Sequence, residues 1–147
     1  MITAIIFDWI GTLYERNKCP FPDSLETLKA LKEGRIKMSL VSLTNNPKER
    51  IKQISDSGLS EYFNQIVVDA NKTDQQYFMC MHLMQTTNRE TAIVDDRMIR
   101  GIKIGNSLNC QTFWIRRGEY AKELPNQETG EPKYTIDTAK DILPYIL

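Results

Sequence analysis

The sequence predicts an α/β fold, a doubly wound parallel sheet of the Rossmann-like kind in a three-layer α/β/α sandwich, and three observations carry that expectation. Short apolar runs of strand length recur along the chain, the first of them Ile2 with Ala4 to Phe7, and they are nearly continuous, as in strands buried on both faces. Between them lie segments whose apolar residues keep helical spacing, so strands and helices alternate and right-handed crossovers make the sheet parallel. Several runs stop in polar or charged residues, at Asp8, Thr44-Asn45, Lys72 and Asp95-Asp96. With 147 residues, 41% hydrophobic and 26% charged, the chain is expected to form a single core domain over residues 1–147.

Taken in order, the first run delivers Asp8 to the carboxyl end of a strand, and Gly11 allows a sharp turn just beyond. Glu15 to Pro22 holds Pro20 and Pro22 and reads as a loop or short hairpin. Asp23 or Ser24 caps a helix carrying Leu25, Leu28, Ala30 and Leu31, which Gly34 closes. Ile36 to Leu43 is the second strand, and Asn46 and Pro47 are the N-cap and first-turn residue of a helix running to about Ser57. Ile66 to Val68 is a short strand, with Lys72 past its end. Thr73 or Asp74 opens a helix to Gln85 with Tyr77, Phe78, Met81 and Leu83 or Met84 as its buried stripe. Thr91 to Val94 is a strand ending in Asp95-Asp96, followed by a helix over Arg97 to Ser107 and a strand over Gln111 to Ile115. Residues 118–132 read as a surface loop, Tyr134 to Ile136 as a last strand, and Asp137 as the cap of a final helix.

Composition excludes several function classes. Lysine plus arginine equals aspartate plus glutamate at 19 each, so no global field draws nucleic acid or an anionic membrane. No apolar stretch approaches the length of a bilayer span and no signal-like start is present, so a soluble, cytoplasmic protein is expected. Cys19, Cys80 and Cys110 are odd in number and far apart, which speaks against a disulfide framework or a zinc site. His82, among Met79, Met81, Leu83 and Met84, reads as a helix packing residue, so no triad can be built on it.

Parallel strands place all their carboxyl ends on one side of the sheet, so Asp8, Thr44-Asn45, Lys72 and Asp95-Asp96 should converge there. A carboxylate that attacks a phosphoryl group needs its own charge tolerated, the developing oxygen charge neutralised and the anion oriented. An oxygen-ligated magnesium ion, a lysine and small hydrogen-bond donors perform those tasks.

The stretch Asp8-Trp9-Ile10-Gly11-Thr12-Leu13 resembles the first motif of the haloacid dehalogenase superfamily, Asp-x-Asp-Gly-Thr, with Ile10 in place of the second aspartate. Thr44-Asn45 is similar to the second motif, Lys72 to the third and Asp95-Asp96 to the fourth, in the same order. The resemblance implies that Asp8 is the nucleophile and a magnesium ligand. It implies further ligands in the backbone carbonyl of Ile10 and in Asp95 and Asp96. Thr44 and Lys72 would hold the phosphoryl oxygens of a phosphorylated substrate, small or macromolecular, with Asn45 supporting that grip. There is no room for a cap domain between Leu13 and Asp23 or between Asn46 and Lys72. The chain therefore resembles capless members, whose open sites admit large substrates or are covered by another subunit.

In phosphatases of that superfamily the second aspartate protonates the leaving alcohol and later activates water, and Ile10 can do neither. Two function classes stay open on sequence alone. One is a magnesium-dependent phosphatase with weakened acid–base catalysis; the other is a catalytically inactive binding or regulatory module that retains the phosphate and metal pocket. A receiver domain also unites acids, a threonine and a lysine, but carries its acidic pair on the first strand rather than a late one.

Overall fold

Six parallel strands form one sheet in the order β3-β2-β1-β4-β5-β6 in the computed structural model, which describes residues 1–147. The strands are β1 (Ala4–Phe7), β2 (Lys37–Leu43), β3 (Gln65–Asp69), β4 (Thr91–Asp95), β5 (Gln111–Ile115) and β6 (Tyr134–Ile136). Phe7 of β1 lies opposite Leu40 of β2 on one side and Val94 of β4 on the other. The chain winds outward from β1 to β2 and β3, then returns across β1 to continue with β4. Asp8 thus leaves the sheet at the point where the winding reverses, the usual position of a ligand crevice.

The strand pleat sorts the core into two layers. Ile5, Phe7, Met38, Leu40, Ala92 and Val94 face one side, where they pack with Leu28 and Leu31 of α1 (Ser24–Glu33) and Ile54 of α2 (Pro47–Asp56). Ala4, Ile6, Val41 and Ile93 face the other, against α3 (Asp74–Met84) and Ile104 of α4 (Lys103–Ser107). Helices therefore cover both faces, as expected. Only a loop joins β1 to α1, and only α2 with a short 3₁₀ turn lies between β2 and β3, so no cap is inserted. No helix is long and apolar enough to cross a membrane.

Local sequence signals fix several element ends. Asn46 accepts the Glu49 N–H at 3.3 Å at the start of α2, with Pro47 in its first turn. Thr73 caps α3 in a reciprocal box with Gln76. Elsewhere the structure departs from the sequence reading. Leu25 is 41% exposed, and α1 buries Ser24, Thr27, Leu28 and Leu31 instead. On α3 the buried stripe is Tyr77, Cys80, Met81 and Met84, the one face that points at the sheet, while Phe78 and Leu83 lie off it and are about half exposed. His82 is also exposed, so it does not pack. Thr138, not Asp137, caps the 3₁₀ turn Ala139–Ile142 that runs into α5 (Leu143–Ile146).

Two further differences shape the carboxyl edge. Asp23 precedes α1 without a capping hydrogen bond; its carboxylate pairs with Arg117 at 3.0 Å and accepts the Lys140 N–H at 3.1 Å. Arg117 also donates to the carbonyl of Thr12 and lies over the Phe21 ring, 3.5 Å from its centroid. The stretch expected as one helix over 97–107 opens with a wide π-helical turn, Met98–Ile102, before α4. Asp95 and Glu123 hold that turn open, because they accept the N–H groups of Gly101 at 3.0 Å and of Met98.

The observed α1 face is open to test by urea unfolding. Leu28→Ala removes a fully buried side chain and should cost about 2–5 kcal/mol, whereas Leu25→Ala should stay within about 0.5 kcal/mol. Equal losses at the two positions would mean that the face is assigned wrongly.

Candidate active site at the carboxyl edge of the sheet

The chain leaving β1 folds into a tight turn in which the Trp9 carbonyl accepts N–H groups from Thr12, Leu13 and Tyr14 at 3.2, 2.9 and 3.1 Å. Gly11 takes a left-handed φ of +84° there, and a Cβ at that position would lie 2.1 Å from Asp96 Oδ2. Only glycine lets the turn press against the Asp96 carboxylate. Asp8 is thereby aimed along the edge with both oxygens engaged: Oδ1 accepts from Lys72 Nζ at 2.9 Å and Oδ2 from Thr12 Oγ1 at 3.1 Å.

Lys72, from the loop between β3 and α3, also donates to Asp95 Oδ2 at 3.1 Å. Its side chain is 3% exposed, and those of Asp8 and Asp95 are 11% and 1%. Burial alone would lower the lysine's pKa, but the Asp8 and Asp95 charges outweigh it and hold it well above the ordinary value. Burial likewise pushes Asp8 up, and the charge and hydrogen bond of Lys72 reverse that, so Asp8 is held below the usual carboxylate range. At Asp95 burial, then the Asp8 charge, outweigh the Lys72 charge and raise the carboxyl. Both Asp95 oxygens serve the backbone as well, Oδ1 accepting from Arg97 N at 2.9 Å and Oδ2 from Gly101 N.

Asp96 faces the cavity. Burial and the charges of Asp8 and Asp95 push its carboxyl up to about 11, so this corner calls for a proton or a cation between the carboxylates. Oxygens of Asp8, Asp95 and Asp96 all lie within 4.8 Å of one another. The carbonyl of Ile10, a residue that lines the same cavity, accepts no backbone hydrogen bond. An all-oxygen donor set with an unsatisfied carbonyl fits a hard divalent cation, with Asp8, Asp96 and the Ile10 carbonyl as the ready ligands and Asp95 more fully engaged elsewhere.

The cavity holds about 430 Å³, and of the residues singled out in the sequence it is lined by Asp8, Ile10, Thr44, Asn45, Lys72 and Asp96. Asp95 belongs to the carboxylate cluster but not to the cavity wall. Thr44 Oγ1 accepts the Asn46 N–H at 3.1 Å, which leaves its own hydroxyl proton for a ligand; Asn45 is exposed at the rim. Sequence reading missed Arg16, Arg50, Arg97, Arg100 and Tyr120, which also line the wall. Arg97 pairs with Glu123 at 3.1 Å and stacks on the Tyr120 ring at 3.8 Å, and Arg16 pairs with Glu119 at 2.6 Å. The charged string Arg116-Arg117-Gly118-Glu119 was a signal for this rim, but its partners lie too far along the chain to be named from spacing.

Comparison with known proteins places this edge in context. Residues 1–115 match the family model of haloacid dehalogenase-like hydrolases. The glyceraldehyde 3-phosphate phosphatase of Methanopyrus kandleri is 26% identical over 97% of this chain, which spans 63% of that relative's length. A haloacid dehalogenase-like hydrolase from Bacteroides fragilis superposes with a TM-score of 0.79 at 12% identity, covering 97% of this chain and 100% of that one. A hydrolase of the same type from Bacillus subtilis, solved bound to magnesium, superposes with a TM-score of 0.71 at 19% identity over 86% of this chain and 56% of its own.

Lys72→Met isolates the electrostatic role of the buried lysine, and at pH 7 it should cost about 3–5 kcal/mol, because it strands carboxylates without a cation. Asp8, held low by Lys72, contributes stability above its unfolded value and loses it as pH falls. Without Lys72 it joins Asp95 and Asp96, whose raised values make stability fall as pH rises past the unfolded carboxylate range. The gap between wild type and mutant, read by urea unfolding without divalent cations, should therefore shrink from pH 7 to pH 4; a constant gap would mean that the lysine acts by packing alone.

Proposed function

The chain belongs to the family of haloacid dehalogenase-like hydrolases, and from that premise we propose that it is a magnesium-dependent phosphatase acting through an aspartyl-phosphate on Asp8. The observation that carries the reading is the convergence, in one cavity, of an ionised aspartate at a strand end with a buried lysine, a free threonine hydroxyl and a second carboxylate. The phosphatase and magnesium-bound relatives support it. Magnesium, when bound by Asp8, Asp96 and the Ile10 carbonyl, would supply positive charge against the phosphoryl oxygens.

The chain's own residues account for the remaining steps. Lys72 and the Thr44 hydroxyl donate to the phosphoryl oxygens and set the phosphorus in front of Asp8. An Asp8 carboxylate oxygen attacks phosphorus, the bond to the ester oxygen breaks, and that oxygen leaves with the electron pair. Because Ile10 offers no proton, the leaving oxygen takes one from solvent. Water then attacks phosphorus and gives up a proton to solvent, since Ile10 offers no base, while the bond from phosphorus to the Asp8 oxygen breaks, releasing phosphate and restoring the carboxylate. Ile10 also favours a second reading, a binding or regulatory module that keeps the anion pocket without turning substrate over.

Turnover separates the two. With magnesium, wild type should cleave p-nitrophenyl phosphate, whose leaving group needs no proton, about 10²–10⁴ times faster than an alkyl phosphate. Asp8→Asn should abolish both activities, and Ile10→Asp should raise the alkyl rate if its carboxyl is solvated. No turnover of the activated ester by wild type at saturating magnesium would favour the binding module.

The cation has its own test in calorimetry. Magnesium binding should weaken by about tenfold or more in Asp8→Asn and in Asp96→Asn; unchanged affinity in both would place the ion elsewhere.

A further inference from the structure

A smaller recess of about 130 Å³ adjoins the main cavity, and Ile10, Arg16, Thr44, Asn46 and Arg50 line both. Arg50, on the first turns of α2, is half-buried there and anchored at one corner. Its Nη1 donates to Ser42 Oγ at 2.6 Å and to the Leu43 carbonyl at 3.2 Å. The Nη2 and Nε groups have no acceptor in the protein, yet neither is sealed from solvent, so this edge of the guanidinium is open. No carboxylate pairs with it: Glu49 Oε2 is taken by Asn46 Nδ2 at 2.9 Å, and Arg16, the other cation of the recess, is paired with Glu119. Burial and the like charge of Arg16 weigh against the Arg50 cation, while Asp8 and Glu49 support it.

A half-buried guanidinium with a free hydrogen-bonding edge, beside a second cation, is a receptor for an oxyanion. Ile10 puts an aliphatic side chain on the wall common to both cavities, and the one carboxylate on the recess wall, Glu49, is hydrogen-bonded to Asn46 and forms no ion pair with Arg50. The volume suits one oxyanion and its link rather than a nucleoside.

We propose that this recess is a second anion subsite, and that the substrate is a small phosphate monoester bearing a second anionic group, a carboxylate or another phosphate, gripped by the free edge of Arg50. The proposal rests on the phosphoester reading of the main cavity, with the phosphoryl group held by Lys72 and Thr44 beside Asp8. Its specificity would come from the chain's own loop and helix rather than from a cap.

Non-hydrolysable phosphonates test it by calorimetry on the full chain in magnesium buffer, with propylphosphonate, 3-phosphonopropanoate and propane-1,3-bisphosphonate as probes. Both doubly anionic probes should bind at least about tenfold more tightly than propylphosphonate, and their order tells carboxylate from phosphate. Arg50→Gln should bring all three within about threefold, and Arg16→Gln, at an exposed position, should narrow the advantage less. If Arg50→Gln does not fold, Arg50→Lys decides, since it keeps the charge and loses the fork: the advantage should fall but not vanish. Equal affinities in wild type, or an advantage untouched by every Arg50 variant, would overturn the proposal. A retained advantage with no turnover of any ester would sink the phosphatase reading and leave the subsite standing. Turnover without the advantage would do the reverse, and no binding of any probe together with no turnover would remove both.

Discussion

The carboxyl edge of this sheet depends on one buried ammonium group. Lys72 reaches Asp8 and Asp95 at 2.9 and 3.1 Å from a loop that follows a different strand, so its two hydrogen bonds tie the ends of β1 and β4 to the loop after β3. A parallel sheet brings its strand ends together by construction, and here that construction concentrates negative charge where burial makes charge costly. The lysine settles part of that conflict and leaves part. Asp8 is held ionised, while Asp96, without an ion pair to the lysine, is left to take up a proton or a cation. Stability and the proposed chemistry thus draw on the same unbalanced charge.

How much of this could be read from residue order follows the range of the interactions involved. Strand runs and the Asn46-Pro47 and Thr73 helix starts were legible because each is decided within a few residues, by apolar continuity or by a side chain satisfying a nearby N–H. The convergence of Asp8, Lys72 and the acidic pair was legible because parallel topology dictates it. The buried face of α3 was not, since Phe78 and Leu83 are as apolar as the residues chosen and only packing against the sheet selects Tyr77, Cys80, Met81 and Met84. The wide turn at Met98–Ile102 was also hidden, because Glu123, from a distant loop, helps to stabilise it. Asp23 had the composition of a helix cap and was diverted by Arg117, a partner with no signature in spacing.

The arginine-rich wall of the cavity shows the same limit in functional terms. Motif residues identify the carboxylate corner, whereas the rest of the cavity wall comes from the β1–α1 loop, α2, the π-helical turn and the loop after β5. Ile10 belongs to both sets. It stands where the motif of its relatives carries an acid, and it lines the wall shared by the main cavity and the Arg50 recess.

The grip of Arg117 on the Thr12 carbonyl and on Asp23 bears on the order in which this molecule takes shape. Those contacts join positions separated by 105 and 94 residues. Contacts so distant in sequence raise the contact order of the fold, and with it the loop-closure entropy that folding must meet before they form. The turn that presents Asp8 closes on its own local hydrogen bonds, but its contact with Arg117 waits until the chain beyond β5 has been synthesised. A ribosome-bound fragment ending before that strand would carry all four motifs and still lack the brace that Arg117 places on the turn beside Asp8.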